Sequence, residues 1–169
     1  MSQQNESALM YSVKELANWI LDYAESVGEQ PSNMALNKLV YFAYEHALRK
    51  NGRKLTGAKI EAWDHGPVFR EIYSSFKKYG ADPIASRATR YNTGTNSVDI
   101  VHPNIAPNDE RLIMEALQPL IRLPAFILRE LSHDEGGAWD VVWNHGRSSN
   151  PGMEITDELI LSSAPTGRA

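Results

Sequence analysis

Apolar residues recur at helical spacing along the first third of the chain. Val13, Leu16, Ala17, Ile20, Ala24 and Val27 mark one face, the i, i+3, i+4, i+7 pattern of an amphipathic helix. Ser12 and Glu15 stand where a capping box needs them, each side chain accepting from the other residue's backbone N–H. Tyr11 is placed to staple onto Leu16, and Gly28 to close the helix just beyond its last turn. A second helix is expected from about residue 32 to residue 50, closed by Asn51 and Gly52. Its Met34, Leu36, Leu39, Val40, Phe42, Ala43, Ala47 and Leu48 cover most of the circumference, which predicts a central helix buried on more than one side.

The pattern then becomes irregular. A short extended piece over 59–63 leads into Gly66-Pro67, and Pro67 suits the first position of a third helix, where its missing N–H costs nothing. Val68, Ile72 and Phe76 face inward in that helix, with Lys77 and Lys78 in its last turn and Gly80 beyond. Between residues 88 and 101 the run NTGTN separates two short strand-like stretches, which predicts a hairpin. Asn108 is expected to cap a fourth helix with Asp109 and Glu110 in its first turn, bent or ended by Pro119. Pro124 is expected as the first residue of another, carrying Phe126, Ile127, Leu128 and Leu131, and two short helices follow near 138–144 and 156–161. The expected fold is mostly α: a single compact helical domain over 12–162 with a small β-hairpin or short antiparallel strands. Residues 1–11 and 163–169 are expected to be flexible ends.

Length and composition agree with one soluble globular domain. The 169 residues are 42% hydrophobic and 22% charged. There is no apolar run of the ~18 residues a membrane span needs, and the first ten residues lack a basic and apolar signal pattern, so a cytoplasmic protein is expected. Cysteine is absent, which excludes disulfides, thiolate nucleophiles and Cys-type zinc sites. The net charge of −4 and pI near 5.7 argue against nucleic acid as a partner. Arg49, Lys50, Arg53, Lys54 and Lys59 form a local basic stretch, read either as complementing a helix C-terminus or as an anion-contacting patch.

Few residues carry a chemical signature. The five histidines (46, 65, 102, 133 and 145) are scattered, and Glu130 with His133 has di-iron spacing but no second pair, so neither metal nor cofactor is expected. No Gly-x-Ser-x-Gly elbow is present, and GRSSNPG at 146–152 reads as a surface loop. Two segments stand out: Trp63-Asp64-His65-Gly66-Pro67, and SHDEGGAW from Ser132 to Trp139. Each sets a tryptophan and a histidine among acids beside a glycine. They fit either a His/Asp/Glu acid–base site walled by indoles or two turns anchored by tryptophans.

KLVYFAYEHALRKNGRKL, IEAWDHGPVFREIYSSFKKYG, LRELSHDEGGAWDVVW and EITDELI, taken in this order over about 34–161, resemble the Panacea antitoxin domain, the SocA-like antitoxin family. One departure is Ala138, where members of that family often carry proline before the late tryptophan. The resemblance implies an antitoxin of a toxin–antitoxin system that neutralises a cognate toxin by binding it, without catalytic residues. It also implies an alternative, a proteolytic adaptor that delivers a toxin to a ClpXP-type protease. A His/Asp-dependent hydrolase is the third reading and rests on the residues alone. In the family reading Trp63, Asp64, His65, Gly66 and Pro67 form a turn that positions the third helix, with His133, Glu135 and Trp139 as its companion motif. Aromatic and arginine residues are the usual anchors of protein interfaces. Tyr44, Arg49, Arg70, Tyr73 and Tyr79, on or beside the second and third helices, are therefore the expected toxin-contacting residues.

Overall fold

The computed structural model describes residues 9–146 and 153–166. Its axis is the second helix, α2 (Asn33–Asn51), buried along nearly its whole length from Asn33 to Leu48. The helix α1 (Val13–Ser26) packs against it through Leu16, Ala17, Ile20 and Ala24. Both ends follow their local chemistry. Ser12 and Glu15 form the capping box, and Gly28 takes φ +79° just past the C-cap. Gly52 ends α2 in the left-handed region at φ +63°, its N–H reaching back to the Leu48 carbonyl and the next N–H, of Arg53, to the Ala47 carbonyl. Tyr11, expected in a flexible end, is buried and bonds through its N–H to the Leu55 carbonyl.

The segment after α2 departs from expectation. Glu61–Trp63 and Gly66–Val68 are strands, β1 and β2, paired antiparallel around a two-residue loop of Asp64 and His65. Pro67 therefore lies opposite Ala62 in a strand and does not open a helix. The helix α3 starts three residues later (Arg70–Phe76) and runs into a 3-10 turn over Lys77–Tyr79. Val68, Ile72 and Phe76 are buried as the pattern required. The predicted second hairpin is present as β3 (Thr89–Asn92) and β4 (Ser97–Ile100). Its base is held by buried Asn18 of α1, whose amide donates to the Ala88 and Val101 carbonyls and accepts from the Ala88 N–H.

The remaining helices are α4 (Pro107–Leu117), α5 (Ala125–Ser132), α6 (Ala138–His145) and α7 (Asp157–Ser162). Helix α4 begins one residue before Asn108, with Ala106 as N-cap and Pro107 at N1. The Ala106 N–H donates to the Tyr11 hydroxyl, so a tertiary bond sets this start and not an asparagine cap. Pro124 is the N-cap of α5 and not its first residue. Phe126 is 64% exposed, because the face of this short helix turned to the core carries Leu128 and Ser132. Three of the last described residues are bonded to the body rather than frayed. The Ala164 N–H reaches the Gly136 carbonyl, Arg49 reaches the Ser163 carbonyl, and Thr166 donates twice to Glu45. Most of the expected loop at 146–152 lies outside the described residues. Among the described residues the fold is mostly α with two small antiparallel strand pairs, and no helix is long and apolar enough to cross a membrane.

Candidate functional site

The two motif segments meet. The Trp139 indole N–H donates to the Trp63 carbonyl at 2.7 Å, joining α6 to the end of β1. The His133 ring lies flat on Trp139, with centroids 3.6 Å apart and planes within 4°. Their meeting point is fixed by α2. Lys38 Nζ donates to the Pro67 carbonyl at 2.8 Å, Asn37 accepts from the Phe69 N–H at 2.9 Å, and Asn33 donates to the Tyr73 carbonyl at 3.0 Å. One face of α2 thus holds β2 and the start of α3 in register.

Gly66 is required where β2 passes over α2. Its φ is +108°, and a Cβ there would lie 2.6 Å from both Lys38 Cε and Ser132 Oγ, which no side chain tolerates. The glycine lets backbone, lysine stem and α5 approach together.

Lys38 is the residue that sequence reasoning missed. It is 1% exposed, and its single hydrogen bond is to a neutral carbonyl. Burial, with Arg129 adding its repulsion, lowers its pKa from 10.5 to about 7. The same cationic neighbourhood reaches His133: burial first, then Arg129, moves its pKa down. Arg129 Nε and His133 Nε2 are buried without a hydrogen-bond partner. A signal was present in the sequence. A lysine inside a helix that is apolar nearly all round has no solvent-facing side to occupy.

Outside this buried layer the motif is open. Asp64 and His65 are largely exposed and stand 3.7 Å apart at their closest polar atoms, beyond hydrogen-bond range. Glu135 is exposed in the turn before α6. His65 thus stands at the loop tip, and His133 is stacked on Trp139. Among the described residues, no group of three or more His, Asp or Glu is placed to hold a metal ion.

The expected toxin-contacting residues separate into two sets. Tyr44 is buried and donates to Asp157 at 2.5 Å, so it belongs to the core. Arg49 is turned onto Glu45 and the Ser163 carbonyl, and Tyr79 donates to Ser86. Arg70 is the exposed one: 71% of its side chain is accessible, while its guanidinium bonds Glu61 at 2.9 Å and lies 5.7 Å from the Trp63 ring centre. Tyr73 meets the same indole edge-on at 5.0 Å. Burial pushes the Glu61 carboxyl up, but the bonds from Trp63 and Arg70 outweigh it and hold it below its ordinary 4.5. Trp63, Arg70 and Tyr73 therefore form one braced aromatic–cationic group, whereas Arg49 borders a different cleft with Phe42 and Pro165.

Comparison with known proteins identifies the family. The family model for the SocA-like antitoxin, Panacea domain, matches residues 36–140, a stretch that contains Lys38, both strands of the first hairpin, His133 and Trp139. Antitoxin SocA of Caulobacter vibrioides is 35% identical over 151 residues, covering 87% of this chain and 79% of that protein. No solved structure matches the chain. On the family match and this identity over most of both chains, the protein belongs to the SocA-like antitoxin family and carries its Panacea domain.

Proposed function

We propose that this protein is an antitoxin that neutralises a cognate toxin by direct protein–protein contact, without catalysis of its own. The observation that carries the reading is the 35% identity to a protein named as an antitoxin, over most of both chains. The geometry supplies a surface for such contact. Trp63, Arg70 and Tyr73 are three residues of the kinds that dominate binding energy at interfaces. Glu61 and the β1–β2 hairpin hold them in place before any partner arrives, so little side-chain freedom is left to lose on binding. Arg70, Tyr73 and Trp63 are accordingly proposed as the centre of the toxin-binding face, without Tyr44, Arg49 or Tyr79. A cytoplasmic location accompanies this reading.

The test is co-expression with the product of the adjacent reading frame. The wild-type chain should restore growth, and Arg70→Glu should lose that rescue while keeping the parental melting temperature. Unimpaired rescue by the folded Arg70→Glu protein moves the interface elsewhere. Absence of rescue by the wild type, against a toxic neighbour, removes the antitoxin reading.

A further inference from the structure

A cavity of about 430 Å³ lies between the β1–β2 hairpin, the first turn of α2, α3 and the start of α5. Its size falls within the roughly 300–1,000 Å³ of small-ligand sites. Met34, Trp63, Val68 and Tyr73 supply an apolar, aromatic wall, and Lys38 borders it from below. Positive charge adjoins the cavity. Lys38 has no carboxylate partner, Lys77 shares the lining, and the first turn of the 19-residue α2 presents the positive end of its dipole. Near Lys38, the Arg129 Nε–H donor and the His133 Nε2 are buried and left unpaired. A buried cation with this little compensation is stabilised by an anion brought against it.

We propose that this cavity binds a carboxylate carried on an aromatic or aliphatic group, with the apolar part against Trp63 and Tyr73 and the anion toward Lys38. The mostly apolar wall and the presence of Asp64 in the lining favour a single negative charge over a phosphate. The carboxylate can belong to a free small acid or to the end of a partner chain. The site does not depend on the antitoxin reading.

Binding should be linked to protons. Lys38 titrates near 7 in the free protein, so only its ammonium form meets the anion, and affinity falls as pH rises. Arg129 of α5 acts on Lys38 directly, Glu130, His133 and Asp64 are its further titratable neighbours, and His65 and Lys77 share the cavity lining.

The experiment is an NMR titration of the full chain with phenylacetate at about pH 6 and pH 8.5, with 2-phenylethanol as the neutral control. Phenylacetate should shift the amides of the hairpin and of the first turn of α2. Its affinity should fall roughly thirtyfold between the two pH values, following the protonated fraction of Lys38, while 2-phenylethanol shows no such change. Lys38→Met should abolish the preference for the acid. Where that variant does not fold, the Cε resonance of Lys38 in the wild type serves instead, moving to its ammonium position on saturation with phenylacetate at pH 8.5. A peptide ending in phenylalanine, as free acid and as amide, identifies the source: tighter binding of the free-acid peptide than of phenylacetate assigns the carboxylate to a chain end, and the reverse to a small acid. Equal binding of phenylacetate and 2-phenylethanol at both pH values, or an unmoved Lys38 Cε resonance, overturns the proposal.

Discussion

Lys38 and Pro67, 29 residues apart, are joined by a 2.8 Å bond from a buried ammonium to a strand carbonyl. No acid shares the site with a bond to that ammonium, so the folded protein holds the proton less tightly than the unfolded chain. The pKa is about 7 in the fold against an ordinary 10.5. Between these values the unfolded state binds more protons, and stability must rise with pH. We expect urea-unfolding free energy to climb from pH 7 to pH 9, with a slope approaching about 1.4 kcal/mol per unit at the upper end. Lys38→Met should flatten that slope. A flat profile in the wild type would show that the ammonium is better solvated than the structure indicates.

Gly66→Ala tests the crossing of β2 over α2. Strain at φ +108° adds to a methyl group placed 2.6 Å from Lys38 and Ser132. The expected loss is on the order of 2–5 kcal/mol, read from the denaturation midpoint at unchanged slope. An unshifted midpoint would mean that the hairpin can lift away from α2 at little cost.

These two residues show how far the sequence could be read. Helix ends were legible where the determinant is local: Ser12 with Glu15, Gly28, Gly52 and the turn between β3 and β4 all behave as their spacing required. Pro67 was not. Proline suits a helix start and a strand equally well by local cost, and the choice is made by Ala62 across the hairpin and Lys38 from α2. Asn108 failed in the same way, displaced as a cap by a bond from Ala106 to the distant Tyr11 hydroxyl. At the candidate site, Trp63, His133 and Trp139 could be named in advance. Their meeting through one indole N–H, and the lysine beneath them, depend on contacts no local pattern encodes.

Asp109 should be the most acid-sensitive group of the core. Burial pushes its carboxyl up, but two bonds from Arg53 at 2.9 Å and one from Tyr11 at 2.6 Å outweigh it and hold it below 3.8. Its contribution is present above that ordinary value and lost as pH falls through the lower folded one. Asp109→Ala takes the carboxylate from Arg53, which keeps only its bonds to the Leu9 and Lys54 carbonyls, and should cost roughly 3–5 kcal/mol at neutral pH, measured by thermal or urea unfolding. A cost under 1 kcal/mol would show that Arg53 finds water or another acceptor.

The C-terminal segment should contribute to stability. Glu45 is 3% exposed and takes two of its donors from Thr166, at 3.0 and 2.5 Å. Ending the chain after residue 162 removes both and should cost about 1–3 kcal/mol. A truncated protein with the parental melting temperature would show that these bonds do not persist in solution.

Direct binding is the central claim, and purified components test it most directly. The protein and the product of its neighbouring reading frame should form a complex of fixed stoichiometry on size-exclusion chromatography with light scattering. In that complex the toxin should lose activity in proportion to the protein added, with no protease present. Arg70→Glu should weaken the complex at least about tenfold, or 1.4 kcal/mol. Rescue of growth in cells, with no complex and no inhibition between the purified proteins, would contradict the account and show that neutralisation requires a further component.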